Sequence, residues 1–137
     1  MPKFVIEREI PGLGNLARDQ KDFDVAHSLY RESMRMFQEL DHKRGVARLM
    51  ECFACSAAAQ LAPERSLRLA GAAAALRQTL GAPLTPGEQA KLERGLEPAR
   101  QALTNAEGAT AWLSGWALPL EKAVEEALTT SPAPTLG

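Results

Sequence analysis

The residues best suited to chemistry are two cysteines, Cys52 and Cys55, in a Cys-Phe-Ala-Cys sequence. Two thiols at this spacing can form a redox couple or supply half of a metal site. Both lie inside a long helical pattern, not at the start of a helix that follows a strand, where a thiolate is stabilised. A zinc site needs further ligands, and His27 and His42 lack the spacing of a zinc finger. We therefore predict no metal and no cofactor, one cysteine that fills the interior, and one, Cys55, that faces a groove.

Acid–base and nucleophilic motifs are otherwise weak in this sequence. His27 has no recognisable nucleophile to activate, so we expect a partly exposed helix residue. Close carboxylate pairs have Lys or Arg nearby, which is typical of solvated faces. They are Asp22 with Asp24, Glu93 with Glu97, and Glu125 with Glu126. Because the chain also has no glycine-rich phosphate loop and no hydrolase or metalloprotease signature, we predict that it is not an enzyme.

Composition and charge indicate one domain and exclude two classes of partner. The chain has 137 residues, of which 45% are hydrophobic, enough for one continuous core. Its 16 basic and 17 acidic residues are interspersed and give a net charge of -1, so the sequence predicts no basic patch that could bind nucleic acid. No apolar run reaches the length of a membrane span, and the first residues do not form a signal peptide. We expect a cytoplasmic protein that binds neither nucleic acid nor membrane.

An internal repeat indicates which elements position these residues. Eight positions recur forty residues later with matching size or polarity. They are Leu13, Gly14, Ala17, Ala26, Leu29, Ser33, Met36 and Leu40, matched by Phe53, Ala54, Ala57, Ser66, Leu69, Ala73, Leu76 and Leu80. Such a period is typical of stacked supersecondary units, none of which can bury its apolar face alone. Apolar spacings of three and four predict two antiparallel helices per unit, so the fold class is predicted to be all-α, a short solenoid of stacked helical hairpins.

The predicted helical-repeat domain covers residues 13–128. Asp22 starts the second helix, whose predicted stripe is Phe23, Ala26, Tyr30, Ser33 and Phe37. The second hairpin runs through apolar positions from Val46 to Leu61, breaks at Ala62-Pro63, where proline suits a first helical turn, and ends at Gly81. The sequence Thr85-Pro86-Gly87-Glu88 then predicts a helix start. The predicted buried stripe of this helix is Leu92, Leu96, Ala99 and Leu103. A weakened third hairpin follows, formed by a short helix over 105–116 that carries Ala109, Trp112 and Leu113, and by a last helix that starts at Pro119.

The two tryptophans admit two interpretations. Trp112 and Trp116 are four residues apart and share a helical face. They could close the end of the stack, since large aromatic side chains dominate core burial. They could instead line a ligand pocket.

Both ends of the chain differ from the helical middle. The segment Lys3 to Ile10 is rich in apolar and β-branched residues and stops at Pro11-Gly12, which predicts a short strand followed by a turn. A strand in a helical domain lacks a pairing partner. Residues 1–12 are therefore predicted to be either a disordered arm or a strand that pairs with the same strand of a second copy. The second alternative would make the protein a homodimer through residues 3–10. The polar, proline-containing residues 129–137 are predicted to be a disordered tail.

Two families resemble parts of this sequence. Leu13-Gly14, Ala26, Tyr30 and Ser33 resemble the tetratricopeptide pattern, which Phe53-Ala54, Ser66, Ala70 and Ala73 match more loosely. The order from Leu13 to Leu128 resembles the C-terminal helical-repeat domain of large bacterial ATPase-linked transcriptional regulators. Residues 1–12 resemble the start of a small ferredoxin-like family, some of whose members bind metal, but this match carries over no ligand.

The tetratricopeptide resemblance implies a function and a binding surface. In that family the first helix of each pair lines a concave groove that holds a peptide. By this resemblance the groove-facing residues are Asn15, Arg18, Asp19, Arg48, Glu51 and Cys55. We therefore expect a non-catalytic scaffold that binds a protein or peptide, in bacterial regulation or signalling. The alternative is a small-molecule sensor with a pocket near the C-terminal tryptophans.

Overall fold

Seven helices make up the regular structure of the part of the chain that is described. A computed structural model describes residues 10–129. The helices are α1 Ile10–Asp19, α2 Phe23–Glu39, α3 Lys43–Ala59, α4 Pro63–Leu80, α5 Pro86–Ala102, α6 Asn105–Ala117 and α7 Leu120–Leu128. The all-α fold class is confirmed for these residues. None of the seven is long and apolar enough to cross a membrane.

The first four helices end in the same turn, repeated every twenty residues. Lys21, Asp41, Leu61 and Gly81 have φ between 52° and 64°, in the left-handed region. In each turn this residue donates its N–H to the carbonyl three residues back, and the next residue donates to the carbonyl five back. This is the Schellman arrangement, which satisfies carbonyl groups that the helix end leaves free. The prediction of a helix stop at Gly81 is confirmed, whereas the other three turns hold a side chain where glycine is usual.

Polar side chains fix the helix starts. The carboxylate of Asp22 accepts a hydrogen bond from the Val25 N–H at 3.4 Å, so the predicted start of α2 is confirmed. Thr85 accepts from the Glu88 N–H at 3.2 Å, and the Glu88 carboxylate accepts from the Thr85 N–H at 2.9 Å. This capping box satisfies two N–H groups that the first turn of α5 leaves free. The bond from the Thr85 N–H also lowers the pKa of Glu88. The predicted start of α5 is thus confirmed.

The core lies around α3, which contacts α1, α2, α4, α5 and α7. The predicted stripe of α2 is confirmed at four positions, Ala26, Tyr30, Ser33 and Phe37, which are fully buried. The Tyr30 ring lies edge-to-face on Phe53 at a centroid distance of 5.3 Å. Tyr30 also lies against Gly14, where a Cβ would come within 2.5 Å of the ring. A small residue in α1 therefore makes room for a large one in α2.

Helix α6 packs on α4 through backbone contacts at glycines. A Cβ at Gly71 would lie 2.0 Å from the carbonyl oxygen of Trp112, and one at Gly115 would lie 1.7 Å from that of Arg68. Real Cβ atoms do not come within 3.0 Å of such atoms, so only glycine fits at both positions. The two helix backbones consequently approach more closely than helices with ordinary side chains between them.

The residues of α6 that face α4 are not its large apolar ones. Ala109 and Leu113 are exposed, Leu113 by 58%, and Trp112 is half-buried. The buried residues of α6 are Gly108, Ala111 and Gly115. Large side chains have no room between the closely packed backbones, so they lie to the side of the contact.

The predicted hairpin of α6 with α7 is wrong, because both helices have their main contacts with α4. Arg65 of α4 donates hydrogen bonds to the carbonyl oxygens of Ala127 and Thr129, at 3.2 Å and 2.8 Å. Arg68 forms an ion pair with Glu126. These contacts hold the last helix against the first half of α4.

Two further differences concern turns. Pro11 and Gly12 were predicted to form a turn, but both lie in the first turn of α1, where proline is tolerated because its missing N–H would have no helical partner. Leu61, predicted as an apolar position of the second hairpin, lies in the left-handed turn position and is 82% exposed. Ile10, the last residue of the predicted strand 3–10, lies in α1 instead. The rest of that strand and the tail from residue 130 to 137 lie outside the described residues, so the homodimer through residues 3–10 stays a prediction.

Candidate binding site

The two cysteines are free and buried, with 7% of Cys52 and 8% of Cys55 exposed. Burial raises the pKa of Cys52 and raises that of Cys55 to about 12, so both thiols stay protonated at neutral pH. The thiolate is the nucleophile and metal ligand, so neither cysteine is prepared for such a role. A Cβ added at Gly95 would lie only 2.5 Å from the Cys55 sulfur. The thiol therefore packs against α5 and does not face an open groove.

His27 is half-buried and contacts an aromatic ring. Its imidazole lies edge-to-face on Phe53 at 5.3 Å. Burial, and secondarily the charge of Arg31, lowers the pKa of His27, which favours the neutral ring. Among the described residues, no group of three or more His, Cys, Asp or Glu side chains could hold a metal ion.

Of the residues predicted to line a groove, Asn15, Arg18 and Asp19 belong to α1, and Arg48, Glu51 and Cys55 belong to α3. We call the face that these two helices form with α5 the α1–α3–α5 surface, because α3 contacts both α1 and α5. Arg18 of α1 and Arg48 of α3 both lie near the buried Cys52.

These predicted groove residues differ in how they are held. The Asn15 side-chain oxygen accepts a hydrogen bond from the Tyr30 hydroxyl at 2.5 Å, and Arg18 forms an ion pair with the exposed Asp19 at 3.2 Å. The Nε of Arg48 is buried and has no hydrogen-bond partner in the part of the chain that the structure describes. Glu51 lies where α3 meets α4 and lines a cavity described next.

A cavity of about 830 Å³ lies between α4, α5 and α6. We call it the tryptophan cavity. It exists because α5 and α6 both pack on α4, which leaves space between them. Apolar side chains from all three helices line it. They are Leu67, Ala70, Ala74, Leu92, Leu96, Ala109, Trp112, Leu113 and Trp116.

The tryptophan pair forms one wall of this cavity. The rings of Trp112 and Trp116 stack with centroids 5.1 Å apart and planes inclined by 25°. The prediction that they share a helical face is confirmed. Because α6 presents its glycine face to α4, the rings lie beside that contact and border the cavity.

The charged residues of the tryptophan cavity are paired with one another. Arg77 binds Glu51 with two hydrogen bonds, Nε to Oε2 at 2.5 Å and Nη2 to Oε1 at 3.1 Å. Both side chains are only about one-eighth exposed, at 13% and 12%. Arg100 binds Glu93 at 2.9 Å, and this pair is more exposed. The cavity therefore has apolar walls and a polar rim whose charges already cancel.

A second cavity, of about 720 Å³, lies on the outer side of α2 near the end of α7. Its lining is more polar and includes His27, Arg31 and Arg35, which are four residues apart on α2, together with Leu128. Asp24 and Glu32 line it as well, so neither sign of charge dominates.

Sequence reasoning missed most of the cavity lining. Glu51 was predicted as a groove residue, but its partner Arg77 and the pair of Glu93 with Arg100 were not predicted. Arg77 and Glu51 are 26 positions apart on different helices, so no local pattern connects them, whereas Glu93 and Arg100 are 7 positions apart on one face of α5, a spacing that could have indicated the pair. The tryptophans were the available signal, because the sequence left a pocket beside them as one of two interpretations.

Comparison with known proteins adds no family. No protein-family model, curated protein or solved structure matches this chain.

Proposed function

We propose that this chain is a non-catalytic helical-repeat module that binds a protein or peptide on its α1–α3–α5 surface, in bacterial regulation or signalling. One observation carries the proposal: α3 contacts both α1 and α5, so the first helices of successive pairs lie side by side. Tetratricopeptide-like stacks bind extended or helical peptides on the surface that their first helices form. Its two free cysteines suit the reducing cytoplasm, where we place its action.

Helix contacts and turns support a short solenoid. Helices α1 and α2 pack as a pair, as do α3 and α4, and each second helix also contacts the first helix of the next pair. The same turn geometry follows all four helices. These contacts and turns support a stack of two full pairs, with α5 in the place of the next first helix.

The charges of the surface indicate what kind of partner it would bind. The Arg48 Nε is a buried donor without a partner among the described residues, and such a group is costly to leave unpaired. A carboxylate is the strongest acceptor for a guanidinium. We therefore propose a partner segment with an acidic side chain that pairs with the guanidinium group of Arg48, whose side chain is only partly buried. With two pairs the surface is short, so we expect modest affinity.

A pull-down from the source organism tests this proposal. The bait would be the wild-type chain and the double variant Arg18→Glu with Arg48→Glu. The matched control is Arg31→Glu with Arg35→Glu, which changes the charge by the same amount on the outer side of α2. Circular dichroism would establish that all three chains fold. We expect partners of the wild type to be lost only with the first double variant. Partners that persist with it would refute the proposed surface.

A second candidate function is small-molecule sensing. The observation that favours it is the tryptophan cavity, since about 830 Å³ is within the range of small-ligand sites and its walls are largely apolar. Ligand screening by tryptophan fluorescence tests this candidate, because both tryptophans of the chain line the cavity. A fluorescence change that a second-cavity variant such as Arg31→Glu leaves intact would support it.

A further inference from the structure

We infer that the tryptophan cavity binds an uncharged, mainly apolar small molecule that contains an aromatic ring. The inference rests on the second candidate function and specifies its ligand class. Three features of the cavity support it, namely its charges, the connections that border its two ends, and its aromatic wall.

The charges exclude an ionic ligand. Both arginines that line the cavity are neutralised by the two glutamates that line it. A ligand charge in this site would lose water without gaining a free counter-charge, which is costly. It could recruit Arg77 only by breaking a bidentate bond to Glu51, which is itself largely buried. An uncharged ligand leaves both ion pairs intact.

The ends of the cavity favour a small molecule over a partner helix. The connection between α4 and α5 lines it through Pro83 and Leu84, and the connection between α5 and α6 lines it through Thr104 and Asn105. These connections lie at opposite ends of α5. A helix bound in a groove must extend beyond its anchoring residues at both ends. The two connections border the cavity at those ends, so a helix would have to run past them, whereas a compact ligand fits between them.

The aromatic wall favours a ring in the ligand. Trp112 and Trp116 are half-buried and already stack on each other. Aromatic rings prefer offset-stacked or edge-to-face contacts, which contribute beyond simple burial. A ligand ring placed against this pair gains such a contact, with the apolar side chains of Leu92 and Leu96 across the cavity.

Three naphthalene compounds that differ only in charge test the inference. 2-Naphthylmethanol is uncharged, 2-naphthoate is an anion and 2-naphthylmethylamine is a cation at neutral pH. Binding would be followed by the indole N–H signals of the two tryptophans in ¹H–¹⁵N NMR spectra of the full chain. We expect both signals to shift with the alcohol, and the alcohol to bind at least tenfold more tightly than either ion.

Matched variants on α6 locate the binding site. Ala109 and Ala106 are both exposed, but only Ala109 lines the cavity. We expect Ala109→Phe to weaken binding of the alcohol at least tenfold and Ala106→Phe to change it less than twofold, with unchanged circular dichroism in both.

The outcomes separate this inference from the candidate function on which it rests. If the three compounds bound equally tightly and Ala109→Phe weakened their binding, the cavity would still bind ligands, but the inferred preference for an uncharged ligand would be overturned. Binding that is insensitive to Ala109→Phe would overturn the location. No shift of either indole signal with any compound would overturn the inference together with the small-molecule function, and the α1–α3–α5 surface would be untouched by that result.

Discussion

A methyl group added at Gly115 should separate α6 from α4. The new Cβ would lie 1.7 Å from the Arg68 carbonyl oxygen, half of the 3.4 Å at which ordinary contact begins. That oxygen belongs to the backbone in the middle of α4, so no side-chain rotation can relieve the overlap. The two helices must move apart, which opens the interface that places the tryptophans beside the cavity.

The expected loss of stability follows from two opposing terms. Overpacking of this kind costs about 1–3 kcal/mol, and a clash with backbone belongs at the upper end of that range. Alanine is favoured over glycine in a helix by about 1 kcal/mol, which offsets part of the cost. We expect Gly115→Ala to lower the free energy of unfolding by about 2 kcal/mol, and the melting temperature by roughly 8 °C for a domain of this size.

Urea unfolding followed by far-ultraviolet circular dichroism would measure this change. The control is Gly87→Ala in the first turn of α5, where a Cβ meets nothing within 4 Å. We expect that variant to match or exceed the wild type in stability. If Gly115→Ala were as stable as Gly87→Ala, the close contact between α4 and α6 would be refuted.

Three other predictions concern the turn, the ion pair and the thiol. Leu61→Gly should stabilise the fold by about 1 kcal/mol, because Leu61 is 82% exposed and has φ 63°, a backbone conformation in which a side chain is strained. An unchanged midpoint of urea unfolding would contradict this prediction. Arg77→Met should lower the free energy of unfolding by about 2 kcal/mol, because it leaves the Glu51 carboxylate buried and unpaired. A double-mutant cycle with Glu51→Gln should show positive coupling between the two side chains, and additive effects would refute the pair. Burial raises the pKa of the Cys55 thiol from 9.0 in the unfolded chain to about 12 in the folded one. Between these pH values the unfolded chain loses the proton while the folded chain keeps it, so the free energy of unfolding falls as the pH rises. Cys55→Ala should reduce this fall, and an identical pH profile would contradict the prediction.

The helices and their starts were predictable because their signals are local. Apolar spacing gave the buried stripe of α2, and the sequences at Asp22, Pro63 and Thr85 gave helix starts that the structure confirms. Each signal depends on residues within one or two helical turns, so no knowledge of tertiary contacts was needed.

The position of α6 was not predictable from hydrophobicity. Its largest apolar residues suggested one face, but close backbone approach to α4 favoured the face with the smallest residues. Gly108, Ala111 and Gly115 are three and four residues apart, so a stripe of small residues was the signal that could have shown the correct face. The same stripe explains why the tryptophans border the cavity instead of filling the core.

The left-handed turn positions at Lys21 and Leu61 and the bond from Arg77 to Glu51 were missed for a different reason. Lys21 and Leu61 adopt a conformation that favours glycine, so their residue types gave no indication of it. Only the twenty-residue spacing of the four turns carried the signal. The bond from Arg77 to Glu51 joins two helices and depends on their packing, which local sequence does not specify.

Nuclear Overhauser effects between α4 and α6 test most directly whether the tryptophan cavity exists. We expect contacts from the α protons of Gly71 to those of Trp112, and from Gly115 to Arg68, because the backbones meet at these positions. Contacts from the side chains of Ala109 and Leu113 to α4 in their place would mean that α6 presents its opposite face. That result would contradict both the helix arrangement and the cavity.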